Sequence, residues 1–158
     1  MRILVDADAC NKIDEVIKIG KDNSLEVHLF YDSSHDFELE IDCIKHQVSQ
    51  GADSADYAII NFCLKEDIII TRDGGLAAMV LAKGCYAINT NGLEYDDSNM
   101  LAILTSRHLN KKERMKGNRM RSSGNRSGRH YNFKNKLLEI INRKGRKDNN
   151  EVNSNDDI

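Results

Sequence analysis

The sequence predicts an α/β fold in which helices cover both faces of a mostly parallel β-sheet, followed by a basic C-terminal arm and helix. Two observations lead to this fold class. Several short apolar runs have the length of strands, and the segments between them show helical apolar spacing, so that the two kinds alternate through residues 1–109. Such alternation is typical of parallel sheets, because a helical crossover is the usual connection between parallel strands.

The first half of the alternating pattern predicts three strands and one helix within residues 2–48. Residues 2–5 are apolar and partly β-branched, which predicts a short buried strand. A helix is predicted over residues 11–20, where apolar side chains recur at near-helical spacing and two carboxylates stand in early turns favoured by the helix dipole. Residues 25–31 are predicted as a second strand, and residues 37–48 contain a third that is polar enough to lie near a sheet edge.

The alternation continues after residue 53. A stripe of apolar side chains predicts a helix, and the nearly continuous apolar run after it predicts a central parallel strand. Gly84 is expected to stop the second helix of this half, and Ser98 to cap the third. In order, the predicted elements are a helix at 54–64, a strand at 67–71, a helix at 76–82, a strand at 85–88 and a helix at 98–109.

The chain changes character after Leu109. Residues 111–128 are crowded with Lys, Arg, Asn, Ser and Gly and hold too few apolar side chains for a core of their own, which predicts a loop or arm. Residues 131–141 offer a short amphipathic helix that could dock back onto the domain. The predicted organisation is an α/β domain at 1–109, a basic arm and C-terminal helix at 110–144, and a disordered tail at 145–158.

The net charge of −2 hides a strong separation along the chain. Residues 1–106 carry 8 Lys and Arg against 19 Asp and Glu, whereas residues 107–147 carry 15 against 2. The asymmetry points to an anionic partner, RNA or another nucleic acid, for the basic part. The alternative is that the basic part neutralises the acidic domain within the same chain. The basic residues predicted to bind nucleic acid are Arg107, Lys111, Lys112, Arg114, Lys116, Arg119, Arg121, Arg126 and Arg129.

Tyr131 and Phe133 lie among these basic residues. Aromatic rings between basic side chains favour single-stranded nucleic acid over a membrane, which would need a sustained apolar helix face. Stacking of the two rings on bases is one interpretation, but the favoured one is that they anchor the last helix in the core. No apolar run of membrane length occurs near the N-terminus, so we expect a cytosolic protein. The four cysteines form no C-x-x-C pair, and neither a zinc knuckle nor a redox motif is expected.

Carboxylates follow two of the predicted strands, at the ends where ligand sites form in parallel α/β sheets. Asp6 and Asp8 follow the first strand, and Asp73 follows the strand at 67–71. Asp56, in the first turn of the preceding helix, is expected to join them. Carboxylate oxygens suit Mg²⁺ or Mn²⁺, and clustered Asp side chains repel one another without a cation. The sequence therefore predicts a divalent-metal site; the alternative is that these residues are helix caps and turn formers.

Four stretches closely resemble the YaiI/YqxD family of bacterial proteins, and the resemblance extends over roughly residues 1–141. They are ILVDADAC, DSADYAIINFCLKEDIIITRDGGLAAMVLAKG, AINTNGLEYDDSNM and SRHLNKKERMKG. That family is grouped by similarity with PIN-domain-like proteins, many of which are metal-dependent ribonucleases. The resemblance therefore implies a PIN-like fold and, by analogy, metal-dependent chemistry on phosphodiesters.

The resemblance also implies roles for individual residues. Asp6, Asp56 and Asp73 resemble the acidic residues of a PIN site, and Asp8 of the D-A-D-A-C motif could act as an extra ligand. The expected function is a Mg²⁺- or Mn²⁺-dependent nuclease or phosphoesterase that acts on RNA. Two alternatives are a non-catalytic nucleic-acid-binding protein on the same scaffold and a protein-interaction module whose basic arm binds an acidic protein. Polar residues expected to line the same crevice are Asn89, Asn91 and Asn99.

Overall fold

The computed structural model describes residues 1–32, 42–51, 53–115 and 132–152, with side chains to residue 106 in the third range and to residue 143 in the last. Six strands of these ranges form one sheet. In chain order they are β1 (Ile3–Asp6), β2 (Val27–Asp32), β3 (Ile44–Val48), β4 (Ile68–Ile70), β5 (Tyr86–Ile88) and β6 (Glu94–Tyr95). The order across the sheet is β3-β2-β1-β4-β5-β6, and neighbours are parallel except β5 and β6. The predicted mostly parallel sheet is confirmed.

Five α-helices of the described ranges pack on the two faces of the sheet. They are α1 (Ile13–Asp22), α2 (Ser54–Phe62), α3 (Gly74–Ala82), α4 (Asp97–Met115) and α5 (Phe133–Val152). One face packs against α1 and α5 through a buried cluster that includes Val5 and Leu29. The other packs against α2, α3 and α4 through a cluster that includes Leu4 and Ile69. The predicted helices on both faces are confirmed.

The burial of each strand follows from its sequence. β4 consists of three isoleucines that are fully buried, as expected for a central parallel strand covered on both faces. β3 lies at one end of the strand order and exposes Ile44, Lys45 and Gln47, so the prediction of a polar edge strand is confirmed. Among the described helices, none is long and apolar enough to cross a membrane.

Two features around β5 and α4 differ from the prediction. The Asp96 carboxylate, rather than Ser98, caps α4, because it accepts hydrogen bonds from the N–H groups of Ser98 and Asn99 at 2.9 and 3.0 Å. The strand β6 pairs antiparallel with β5 although no strand is predicted there. Two residues are too few for an alternating pattern to be visible in a sequence.

The two C-terminal helices are longer than predicted. α4 runs on to Met115, so the loop predicted from residue 111 is wrong over residues 111–115, whose Lys, Glu, Arg and Met are good helix formers. α5 docks onto the domain as predicted, but it continues through residues 145–152, where the sequence predicts a disordered tail. This polar stretch has no apolar face of its own, but it continues a helix that is already docked, and extending a helix is easier than starting one. The division of the chain at residues 109 and 144 stays a prediction.

The strand order reverses at the carboxyl ends of β1 and β4. From β1 the chain builds β2 and β3 on one side, and it then crosses back to build β4, β5 and β6 on the other. Ligand sites in open α/β sheets form at such a reversal, because the loops that leave the two central strands diverge there. We call this place, at Asp6 and Thr71, the switch-point crevice.

Candidate active site

Asp6 and Asp73 come together at the switch-point crevice. β1 and β4 pair directly, with Val5 opposite Ile70, so the two carboxylates follow adjacent strands, as the predicted site requires. Thr71 connects them, because its hydroxyl donates to Asp6 Oδ2 at 3.0 Å and accepts from the Asp73 N–H at 3.0 Å. Thr71 is buried. The three residues therefore form one hydrogen-bonded unit at the end of the two central strands.

Asp6 is a buried carboxylate with negative neighbours. Its exposed fraction is 8%. Burial raises the pKa of Asp6 above its ordinary range, the hydrogen bond from Thr71 acts in the opposite direction, and the charges of Asp8 and Asp73 raise the pKa further. Two of the predicted metal ligands, Asp8 and Asp73, are thus close enough for their charges to act on Asp6. A cation placed among them would relieve that repulsion.

Asp73 and Asp8 also have structural roles. Asp73 caps α3, since its Oδ1 accepts hydrogen bonds from the N–H groups of Gly75 at 2.6 Å and Leu76 at 3.1 Å. Asp8 lies on an exposed 3₁₀ turn after β1, and its Oδ2 accepts from the Asp32 N–H at 3.2 Å. The alternative that these acids serve as caps and turn formers is therefore confirmed for Asp73. Capping does not exclude ligation, because a carboxylate can accept several bonds at once.

Asp56 lies in the first turn of α2, beside α3 rather than at the end of a strand. It borders an open cleft of about 210 Å³ between the two helices, which we call the α2–α3 cleft. The cleft is lined by Asp53, Asp56, Tyr57, Ile60, Asp73, Gly75, Leu76 and Met79. Asp73 thus belongs both to this cleft, which it shares with Asp56, and to the switch-point crevice, which it shares with Asp6.

The donor set suits a hard divalent cation in kind, since every predicted ligand is a carboxylate. Within the described ranges, however, no three His, Cys, Asp or Glu side chains are arranged to hold a metal ion. The four aspartates lie around the crevice and the neighbouring cleft, but they do not form a complete metal-binding site.

Asn89 and Asn99, two of the predicted crevice residues, organise the backbone beside the crevice. The Asn89 side-chain oxygen accepts from the N–H groups of Asn91 and Leu93, both at 2.9 Å, and closes the turn before β6. The Asn99 side chain donates to the Glu94 carbonyl at 2.8 Å and holds the start of α4 against β6. Asn91 is exposed and takes part through its backbone. Direct contact of these side chains with a ligand stays a prediction.

Three residues near the carboxylates were not predicted as site residues from the sequence. Thr71 follows β4 directly, and a polar residue at that position was the available signal. Tyr95 is buried, and its hydroxyl points to the Thr71 carbonyl at 3.5 Å. The pKa of Tyr95 is raised above its ordinary value, chiefly because the residue is buried. The charge of Asp73 also raises this pKa, whereas a hydrogen bond with Asn89 and the charge of Arg72 lower it. Tyr57 gave no signal, because one aromatic residue on a helix is not distinctive.

The predicted nucleic-acid interface falls where side chains are not described. The backbone positions of Arg107, Lys111, Lys112 and Arg114 are on the last turns of α4. The other predicted residues, Lys116, Arg119, Arg121, Arg126 and Arg129, lie outside the described ranges, as does Tyr131. Their binding of nucleic acid stays a prediction.

Phe133 belongs to the core. It is 2% exposed in the cluster beneath α1 and α5, so it does not offer a stacking platform for bases. The favoured interpretation, that the ring anchors the last helix in the core, is confirmed for this residue.

Comparison with known proteins identifies relatives of similar length. A family model described as "Uncharacterized BCR, YaiI/YqxD family" matches residues 4–143. A UPF0178 protein of Clostridium tetani is 44% identical over 117 residues, which cover 74% of this chain and 80% of that protein. A UPF0178 protein of Clostridium novyi is 37% identical over 150 residues, which cover 94% of this chain and 100% of the relative. No solved structure gives a significant match.

Proposed function

The chain belongs to the YaiI/YqxD family, and from this premise we propose that it is a divalent-metal-dependent phosphoesterase that hydrolyses RNA at the switch-point crevice. One observation carries the proposal. Asp6 is buried at the reversal of strand order, where α/β sheets place their ligands, and the Thr71 hydroxyl joins its carboxylate to the backbone of Asp73.

The cost of this arrangement supports a cation rather than a purely structural role. Like charges at short range destabilise a fold, and burial of Asp6 adds a desolvation penalty for its ionised form. A helix cap or a turn needs only one carboxylate, as the cap that Asp73 forms on α3 illustrates, and so does not explain a cluster. Mg²⁺ or Mn²⁺ bound by Asp6, Asp8 and Asp73 would offset both penalties.

Each residue has a defined part in this proposal. A bound divalent cation would polarise the phosphate and lower the pKa of a water molecule. Thr71 fixes the orientation of the Asp6 carboxylate by its hydrogen bond to Oδ2. The α3 N-terminus holds Asp73 in place through two backbone N–H groups. Asp56, which lines the α2–α3 cleft together with Asp73, would be the fourth ligand.

The first test is metal binding. We expect metal-free protein to bind Mn²⁺ saturably in calorimetry and the Asp6→Asn/Asp73→Asn variant to lose that binding. The variant should fold with unchanged or higher stability, because an asparagine at position 73 can still cap α3 and a neutral amide at position 6 removes a repelled, buried charge. Asp22→Asn, an exposed acid at the end of α1, is the matched control and should bind like the wild type.

Activity is measured next, on single-stranded RNA. Cleavage that requires Mn²⁺ or Mg²⁺, stops in EDTA and is lost in the double variant would support the proposal. A double variant that binds Mn²⁺ or cleaves RNA as well as the Asp22→Asn control would end it.

Non-catalytic binding of nucleic acid is the second candidate function. The described residues hold no ready-made metal group, and the segment at 107–147 carries 15 basic against 2 acidic residues. This candidate predicts no Mn²⁺ isotherm, together with RNA binding that ignores EDTA and weakens steeply with salt. Deleting the C-terminal part is unsuitable as a test, because α5 contributes to the core. Replacing Arg119, Arg121 and Arg126 by glutamine is the better variant.

A further inference from the structure

The α2–α3 cleft exposes side chains that proteins usually bury. Tyr57 is 63% exposed and Met79 is 55% exposed, and both line the cleft. Ile60 and the buried Leu76 also contribute to the lining, so apolar surface from both helices meets there. Large apolar groups kept in contact with water at a concave site are a mark of a binding surface.

The chemistry of the cleft suits a flat, neutral ring with polar edges. An exposed aromatic ring such as Tyr57 is a stacking surface for nucleobases, and the polarisable thioether of Met79 packs well against aromatic rings. The carboxylates of Asp53 and Asp56 border the same cleft and can accept hydrogen bonds from the exocyclic amino groups of bases. Gly75 carries no side chain to obstruct the cleft.

The position of the cleft relates it to the crevice. Asp73 lines the cleft, and its N–H donates to Thr71, which in turn donates to Asp6. A ligand in the cleft would therefore lie beside whatever occupies the switch-point crevice.

We propose that the α2–α3 cleft is a nucleobase slot, in which Tyr57 stacks on a base of single-stranded RNA next to the phosphodiester at the switch-point crevice. The inference rests on the proposed function for the identity of the substrate. It adds a base-binding subsite whose main residues, Tyr57 and Met79, take no part in metal binding.

The test measures binding without hydrolysis. The probe is a fluorescent, hydrolysis-resistant 2′-O-methyl phosphorothioate hexaadenylate, and an abasic oligomer with the same backbone serves as reference, each in Mn²⁺ and in EDTA. Wild-type protein should bind the hexaadenylate more tightly than the abasic oligomer. Tyr57→Ala should weaken hexaadenylate binding by about 5- to 150-fold, the value of one stacked base, and leave the abasic oligomer unaffected. Tyr57→Phe should keep the affinity.

Leu64→Ala is the matched control, since Leu64 is 64% exposed and does not line the cleft. Equal affinities of Tyr57→Ala and Leu64→Ala for the hexaadenylate would overturn the slot, whatever the metal experiments give. Tyr57-dependent binding that persists in EDTA, in a protein without a Mn²⁺ isotherm, would support the slot and contradict the proposed metal chemistry. Tight Tyr57-dependent binding of a hexaarginine peptide, without affinity for the hexaadenylate, would replace the slot by a site for a basic protein.

Discussion

Asp67→Asn is expected to lower the free energy of unfolding by about 3 kcal/mol. Asp67 lies just before β4, and its carboxylate accepts hydrogen bonds from the Arg2 backbone N–H at 2.9 Å, from Arg2 Nη2 at 2.6 Å and from the Leu64 N–H at 3.0 Å. The Asp67 side chain is 3% exposed and that of Arg2 21%. The substitution leaves a half-buried guanidinium over the Phe62 ring without its counter-charge. Breaking such a pair costs more than the pair itself contributes.

Chemical denaturation at pH 7 measures this loss, with Asp42→Asn as the control. Asp42 also pairs with a basic side chain, Lys21, but both partners are 69% exposed. Exposed pairs contribute little because water screens them, so this variant should unfold almost like the wild type. Similar losses in the two variants would show that burial does not set the value of the Asp67 pair.

The same pair predicts a pH dependence. Burial alone would raise the pKa of Asp67, but the hydrogen bonds from Arg2 and Leu64 outweigh it and hold the pKa below its ordinary value of 3.8. The stabilisation is therefore complete above pH 3.8 and is lost as the pH falls through the lower folded-state pKa. The difference in stability between wild type and Asp67→Asn should shrink on acidification below that pH. A constant difference would contradict the assignment.

Phe133→Ala is expected to lower the free energy of unfolding by about 3–4 kcal/mol. Phe133 begins α5 and is 2% exposed, and it packs with Leu137 and Ile140 against the face of the sheet that α1 also covers. Removing the ring leaves a cavity at the point where the chain rejoins the core. The Lys12 ammonium, 5.0 Å above the ring, would also lose its aromatic partner.

Urea denaturation of Phe133→Ala, Phe133→Leu and Leu101→Ala tests this expectation. Phe133→Leu keeps most of the apolar volume and should cost about 1 kcal/mol. Leu101 is 76% exposed on α4, and its replacement should have little effect. If Phe133→Ala unfolded at the same urea concentration as Leu101→Ala, α5 would not be part of the cooperative core.

Much of the fold could be predicted because its central strands are short and apolar. The short apolar run that ends in Ile68–Ile70 favours a buried strand, and the acids at its end and after β1 then fall at one edge of the sheet. β6 and the extension of α4 could not be predicted in this way. The former has two residues, and the latter depends on helix propensity without an apolar stripe.

The site was predictable in part for a related reason. Strand adjacency brings Asp6 and Asp73 together, and strand patterns indicate that adjacency. The bridging role of Thr71 depends on side-chain orientation after the strand, and the α2–α3 cleft depends on the spacing between two helices. Neither quantity leaves a periodic signal in the sequence. Tyr57 therefore became a candidate only through its exposure beside Asp56.

The contribution of α5 to the core has a consequence for the order of events during synthesis. The first helix and the strands beneath it are synthesised early. The apolar surface that Leu137 and Ile140 cover stays exposed until α5 has been translated. A nascent chain that ends before residue 133 still presents this surface to water and to other chains. The protein should therefore complete its folding only after α5 has been translated, and chains terminated before α5 should depend on chaperones or be degraded.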